Sequence, residues 1–137
     1  MGLDIYFFKT KVKNFEKFEE DYKNNSVEDV SPYNFEEIGY FRKVNFLMYF
    51  FAYYGNEVFK KINKDELMEL QERCIKVLEY RDEDISKHLL ETCGGFFFGS
   101  TEYDDMYYTD VKYVLEWVKK VLYELTDDDV VLMFCDW

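Results

Sequence analysis

Apolar residues recur along this chain in two rhythms, one of period two and one of three to four. In "GLDIYFFK", Gly2 to Lys9, the positions Leu3, Ile5 and Phe7 alternate with Asp4, Tyr6 and Phe8, which predicts a strand. So much of both sets is apolar that the strand belongs inside a sheet rather than at its edge. Phe15, Phe18 and Tyr22 then fall at helical spacing beneath a charged face, and Asn24, Asn25, Ser26 and Pro32 break the pattern. The segment from residue 14 to residue 33 is expected to be a short helix and loop, with the character of an insertion.

The run "EEIGYFRKVNFLMYFFAYYG" predicts a helix starting near Ile38 to Tyr40 and closed by Gly55. Few polar residues follow Asn45, so that helix should be buried or form a contact between copies of the chain. At about 14 residues it is too short to cross a bilayer. "NKDELMELQERCIKVLEYRDED" opens on Asn63 with Glu66 three residues later, a capping box, and carries Leu67, Leu70, Cys74, Val77 and Leu78 as its inner stripe. "ISKHLLET" adds a helical turn or two before Gly94 and Gly95. The triplet Phe96 to Phe98 predicts a short buried strand, with Gly99 as its turn.

A helix beginning between Ser100 and Asp105 follows, with Tyr107, Val111, Val114, Leu115, Val118, Val121 and Leu122 at spacings of three and four. After the acidic turn Asp127 to Asp129, "VVLMFCDW" closes as a strand. The expected fold is therefore α+β: a single domain with a small sheet of three or four strands packed by three or four helices. The 137 residues suit one hydrophobic core.

Composition narrows the function. With 14 Phe and 13 Tyr, rings supply much of the burial, either for a core or for a recognition face. A net charge of −12 argues against duplex nucleic acid, which is held by clustered Lys and Arg. It suits solubility, a basic protein partner, or a nucleic-acid mimic. Cys74, Cys93 and Cys135 are odd in number and fit neither a disulfide framework nor a zinc site, which points to a reducing cytoplasm. "MGLDIYFFKTK" lacks the pattern of a secretion signal or lipid anchor, and no membrane partner is expected.

One region carries candidate chemistry. In "GFFFGSTEYD", a turn leading into a helix would present free N–H groups at the positive end of the dipole. Gly99 would allow close approach, Ser100 and Thr101 would offer hydroxyls, and Tyr103 or Tyr107 would offer a ring to stack on. The plainer alternative is that Ser100, Thr101 or Asp104 caps the helix. Arg42 and Lys43, beside Tyr40, would clamp an anion if they meet that turn, or would pair with Glu36, Glu37 or another of the many carboxylates. His88 is the sole histidine, which removes most acid/base and zinc designs, and a Cys93–His88 dyad has little behind it. The aspartate run at Asp127 to Asp129 is a solvated turn before it is a cation site. No phosphate loop or Gly-x-Gly-x-x-Gly fingerprint is present, so no cofactor is expected.

"MGLDIYFFK", "EEIGYFRKVN" and "GFFFGSTEYDDMYY", with a terminal aromatic strand ending in Trp, together resemble a group of small uncharacterised proteins encoded by bacteriophages, prophages and gut or environmental bacteria. Those proteins begin MGLD and carry Tyr-Trp-Arg-Lys-x-Asn and GFFFGST-like segments. The likeness is dense over about a quarter of the chain and implies a mobile-element context rather than an activity. The residues matched are Tyr40, Arg42, Lys43, Asn45, Gly95, Phe97, Phe98, Gly99, Ser100, Tyr103 and Tyr107. Phe41 stands where the group has Trp, and Met48 where it often has His, so no role of that His carries over. The expectation is a noncatalytic binding protein that holds an anionic or aromatic ligand, or a partner's loop, through Tyr40, Arg42, Lys43, Asn45, Gly99, Ser100, Thr101, Tyr103 and Tyr107. An acidic module that engages a host protein is the alternative, and an enzyme on nucleotides or small phosphates a further one. Self-association is compatible with the Phe46 to Tyr54 run.

Overall fold

A computed structural model describes residues 2–137 as an α+β domain. Strands β1 (Asp4–Lys11), β2 (Glu36–Arg42), β3 (Phe59–Ile62) and β4 (Asp129–Asp136) form one antiparallel sheet in the order β2-β1-β4-β3. The two ends of the chain thus make its centre: β1 and β4 pair over their full length, from Asp4 opposite Asp136 to Lys11 opposite Asp129. This is why both read as strongly apolar. Each has a neighbour on both sides and a covered face.

The helical cover lies on the face of Ile5, Phe7, Met133 and Cys135, all fully buried. It consists mainly of α3 (Lys64–Tyr80) and α5 (Asp105–Glu124), joined through α4 (Glu83–Leu89). The stripe Leu67, Leu70, Cys74, Val77 of α3 meets Val111, Val114, Val118, Val121 of α5 in one cluster with the sheet. Each such side chain contributes roughly 1.5–3 kcal/mol of burial. The capping box of α3 is present as the sequence predicts: Asn63 Oδ1 accepts from the Glu66 N–H at 2.8 Å, and Glu66 Oε1 accepts from the Asn63 N–H at 3.1 Å. Cys74 and Cys135 sit deep in this core, and burial pushes both thiols up to about 12.

The opposite face is only half covered. Helix α1 (Val12–Lys23), which begins two residues before the segment 14–33, and a 3-10 turn at Ser31–Tyr33 lay Phe15, Phe18 and Tyr33 on Val130 and Leu132. Thr10 Oγ1 donates to the Tyr33 carbonyl at 2.6 Å and ties the turn to β1.

Two expectations are corrected. The helix from Ile38 to Gly55 does not form. Residues 36–42 are the edge strand β2, and only α2 (Phe46–Phe50) is helical. β2 is apolar on both faces because Phe41 packs on Trp117 while Tyr40 stacks beside Tyr6 on the other side, so no alternation shows. Gly39 makes room for Trp117, whose Nε1 donates to the Ile38 carbonyl at 2.8 Å. A Cβ on Gly39 would lie 2.5 Å from that nitrogen. The second correction concerns Phe96 to Phe98, which is not a strand. Phe96 is 86% exposed and Phe97 43%, and Phe97 has φ of 66°; only Phe98 enters the core. The third and fourth strands are instead β2 and β3. Among the described residues, no helix is long and apolar enough to cross a membrane.

Candidate functional site

At the end of β2 the chain turns sharply. Lys43 takes φ of 59°, its N–H donates to the Leu3 carbonyl at 2.7 Å, and Val44 drops into the core. Asn45 follows at 3% exposure and makes three hydrogen bonds to one distant loop. Its Nδ2 donates to the carbonyls of Phe98 at 2.9 Å and Ser100 at 3.0 Å, and its Oδ1 accepts from the Cys93 N–H at 3.0 Å. Three of the hydrogen bonds that fix the Cys93–Ser100 loop therefore come from one buried amide, and the Leu3 N–H adds another by donating to the Phe97 carbonyl at 3.0 Å. A second staple closes it: Thr92 Oγ1 donates to the Thr101 carbonyl at 2.9 Å, and the Thr92 N–H donates to the Tyr103 hydroxyl at 3.1 Å.

These connections build a concavity of about 370 Å³ between the β2–α2 turn and the start of α5. Of the residues expected at the site, Arg42, Lys43, Asn45, Gly99, Ser100 and Tyr107 line it; Tyr40, Thr101 and Tyr103 do not. Val44 and Phe46 contribute apolar floor, and Tyr107 adds its ring, edge-on to Phe46 at 5.6 Å. The Tyr107 hydroxyl donates to the Leu90 carbonyl at 2.8 Å, and burial raises its pKa.

The cations gather at one wall. A Cβ placed on Gly2 would stand 2.6 Å from Arg42 Nη2 and 3.0 Å from Lys43 Cε, so both side chains converge over that glycine. Arg42 Nη1 binds Asp4 Oδ1 at 2.8 Å, and the Tyr40 hydroxyl donates to the same oxygen at 2.6 Å. The Tyr40 hydrogen bond first, and the guanidinium with it, hold Asp4 below the usual carboxylate range. Arg42 thus pairs with one of the many carboxylates, as the plainer alternative has it, but with Asp4 and not with Glu36 or Glu37; Glu36 faces Lys9 at 4.0 Å. Among the described residues Lys43 makes no ion pair.

Gly99, at φ of 88°, lies against the Lys43 side chain: a Cβ there would be 3.0 Å from Lys43 Cβ. Its small size serves this packing. Ser100 Oγ accepts from the Glu102 N–H at 3.1 Å in a local turn. The α5 N-terminus is capped by Asp104, whose Oδ1 accepts from the Tyr107 N–H at 3.0 Å. Any attraction for anions here thus comes from Arg42 and Lys43 and not from the helix dipole. Glu102, Asp104 and Asp110 supply opposing charge, and burial, then the nearby Asp104, raises the Asp110 pKa.

Spacing alone did not single out Asp110, Met106 or Thr92 as lining residues. Asp110 was the reachable one, since it stands three positions after Tyr107 on a helix and so shares its face. Elsewhere, Cys93 Sγ donates to the Gly94 carbonyl at 3.8 Å, and His88 lies in a separate depression with Tyr49, Phe50 and Arg73. Asp129 is occupied by Thr126 and Lys11. No group of three or more His, Cys, Asp or Glu suited to a metal ion occurs among the described residues. The chain matches no family model, no curated protein and no solved structure.

Proposed function

We infer that this chain is a binding protein, of the mobile-element type implied by its resemblance, that receives a small anionic ligand in the concavity between the β2–α2 turn and α5. The observation that carries this reading is the convergence of Arg42 and Lys43 over Gly2 at the wall of that concavity. Arg42 is already paired with Asp4 while Lys43 has no ion pair among the described residues, so an anion seated beside them gains charge-assisted hydrogen bonds chiefly from Lys43. Phe46 and Tyr107 favour a ligand with an apolar or aromatic body, of which small pockets of this kind bury most.

The acidic residues limit its charge. Glu102, Asp104 and Asp110 disfavour polyphosphates and suit a monoanion that also carries a hydrogen-bond donor. The site reads as a receptor rather than a catalyst because its polar groups are already committed: Asn45 to the loop, Asp104 to the cap, the Tyr107 hydroxyl to Leu90.

Thermal-shift titration with phenylacetate and with inorganic phosphate tests the reading. A ligand that binds only the folded state raises the melting temperature with its concentration. Phenylacetate should raise it more than phosphate, and Lys43→Asn, which tolerates the left-handed backbone, should abolish the rise. An equal rise in Lys43→Asn, or none with either anion at tens of millimolar, would overturn it.

A further inference from the structure

The uncovered half of the sheet carries a ladder of four rings in register. Tyr40 stands opposite Tyr6, Tyr6 opposite Phe134, and Phe134 opposite Phe59, with centroid separations of 5.0, 6.4 and 4.6 Å. The ladder thus spans all four strands. Tyr40 is 47% exposed and the other three are half-buried, since α1 reaches only the Phe59 end. The row beyond it, on the same face, runs Arg42, Asp4, Asp136, and Glu37 borders the ladder opposite Phe8.

This face already holds one guanidinium. Arg42 lies on Asp4 beside the Tyr40 ring. One strand further, Asp136 repeats the arrangement next to Tyr6 and Phe134, but among the described residues it has no ion pair. Asp4 and Asp136 are directly opposite, a like-charge pairing that disfavours the sheet. A second cation beside Asp136 would offset it.

From this geometry we propose that the open face of the sheet docks an arginine-bearing segment of a partner polypeptide, whose guanidinium stacks on the Tyr6 and Phe134 rings and pairs with Asp136. Planarity explains the choice of arginine over lysine: a guanidinium stacks on a ring and binds a carboxylate through two N–H groups at once, which an ammonium does not do. The same ladder of rings would suit nucleobases, but on this face Asp4, Asp136 and Glu37 outnumber Arg42 and Lys61 and repel a phosphate backbone. The net charge of −12 adds long-range attraction for a basic partner.

The test uses two capped peptides, Gly-Arg-Gly-Arg-Gly and its lysine counterpart, titrated into the full chain at 150 mM salt and followed by NMR. The arginine peptide should shift Tyr6, Tyr40 and Phe134 and bind at least fivefold more tightly than the lysine peptide. Asp136→Asn should weaken it at least fivefold. Glu79→Gln, the same charge change on the exposed side of α3, should leave it unchanged. Equal weakening by Asp136→Asn and Glu79→Gln, or equal binding of the two peptides, would reduce the effect to bulk charge and overturn the proposal. So would a short oligouridine that shifts the same rings while the arginine peptide does not.

Discussion

Replacing Asn45 by alanine should loosen the Cys93–Ser100 loop, which keeps the Leu3 N–H bond to the Phe97 carbonyl and the Thr92 staple, while leaving the rest of the fold in place. The amide is 3% exposed, and its loss strands three groups: the Phe98 carbonyl, fully buried, and the Ser100 carbonyl and Cys93 N–H, which water partly reaches. A buried acceptor left without a donor costs about 1–3 kcal/mol, and a bond that water can replace about 0.5–1.5 kcal/mol. The expected destabilisation is therefore about 3 kcal/mol in urea unfolding, equivalent to roughly 10 °C in melting temperature for a chain of this size. Asn45→Asp should cost at least as much, because it presents a carboxylate to two carbonyls. Hydrogen exchange adds a local readout. Protection of the Cys93 amide should collapse in Asn45→Ala at a denaturant concentration where the amides of α3 and β4 remain protected. A destabilisation below about 0.5 kcal/mol, within the range of an ordinary surface substitution, would show that the loop does not hang from Asn45.

Gly39→Ala should destabilise by about 1–3 kcal/mol, since the added Cβ would lie 2.5 Å from Trp117 Nε1 and force the indole from its bond to Ile38; a red shift of tryptophan fluorescence in the folded state checks the cause. Asp129 gives a pH dependence. Burial opposes its charge, but the Thr126 N–H and the Lys11 ammonium hold its pKa at about 2, below the ordinary 3.8. A depressed carboxylate contributes stability that is fully present above 3.8 and is lost as the pH falls to about 2. The contribution is at most ~2 kcal/mol, and less because Lys11 is more than half exposed and water screens the pair. Asp129→Asn should flatten the unfolding free energy across that window, and an unchanged slope would contradict the assignment.

What the sequence made legible were the elements whose signals are local. The Asn63 and Glu66 box, the stripe of α5 and the two apolar end strands all rest on spacings within a few residues. β2 was hidden because its two faces meet Trp117 and Tyr6, so both are aromatic; Gly39 inside the run was the one mark of a strand with a close neighbour. β3 is four residues long with Lys60 and Lys61 at its centre, and polar edge strands look like linkers. Phe96 to Phe98 has the composition of a strand, but only Phe98 goes inward, where its carbonyl accepts from Asn45, 53 residues away. Of the residues expected at the site, Asn45 and Gly99 position the wall of the concavity, Tyr103 staples the loop, and Arg42 and Lys43 line the concavity.

The anion site proposed for the concavity rests on Arg42 and Lys43. Titrating phenylacetate into ¹⁵N-labelled protein measures it directly. Saturable shifts confined to residues 42–46 and 99–110, absent in Lys43→Asn, are expected. Shifts centred elsewhere, or the same shifts persisting in Lys43→Asn, would contradict it.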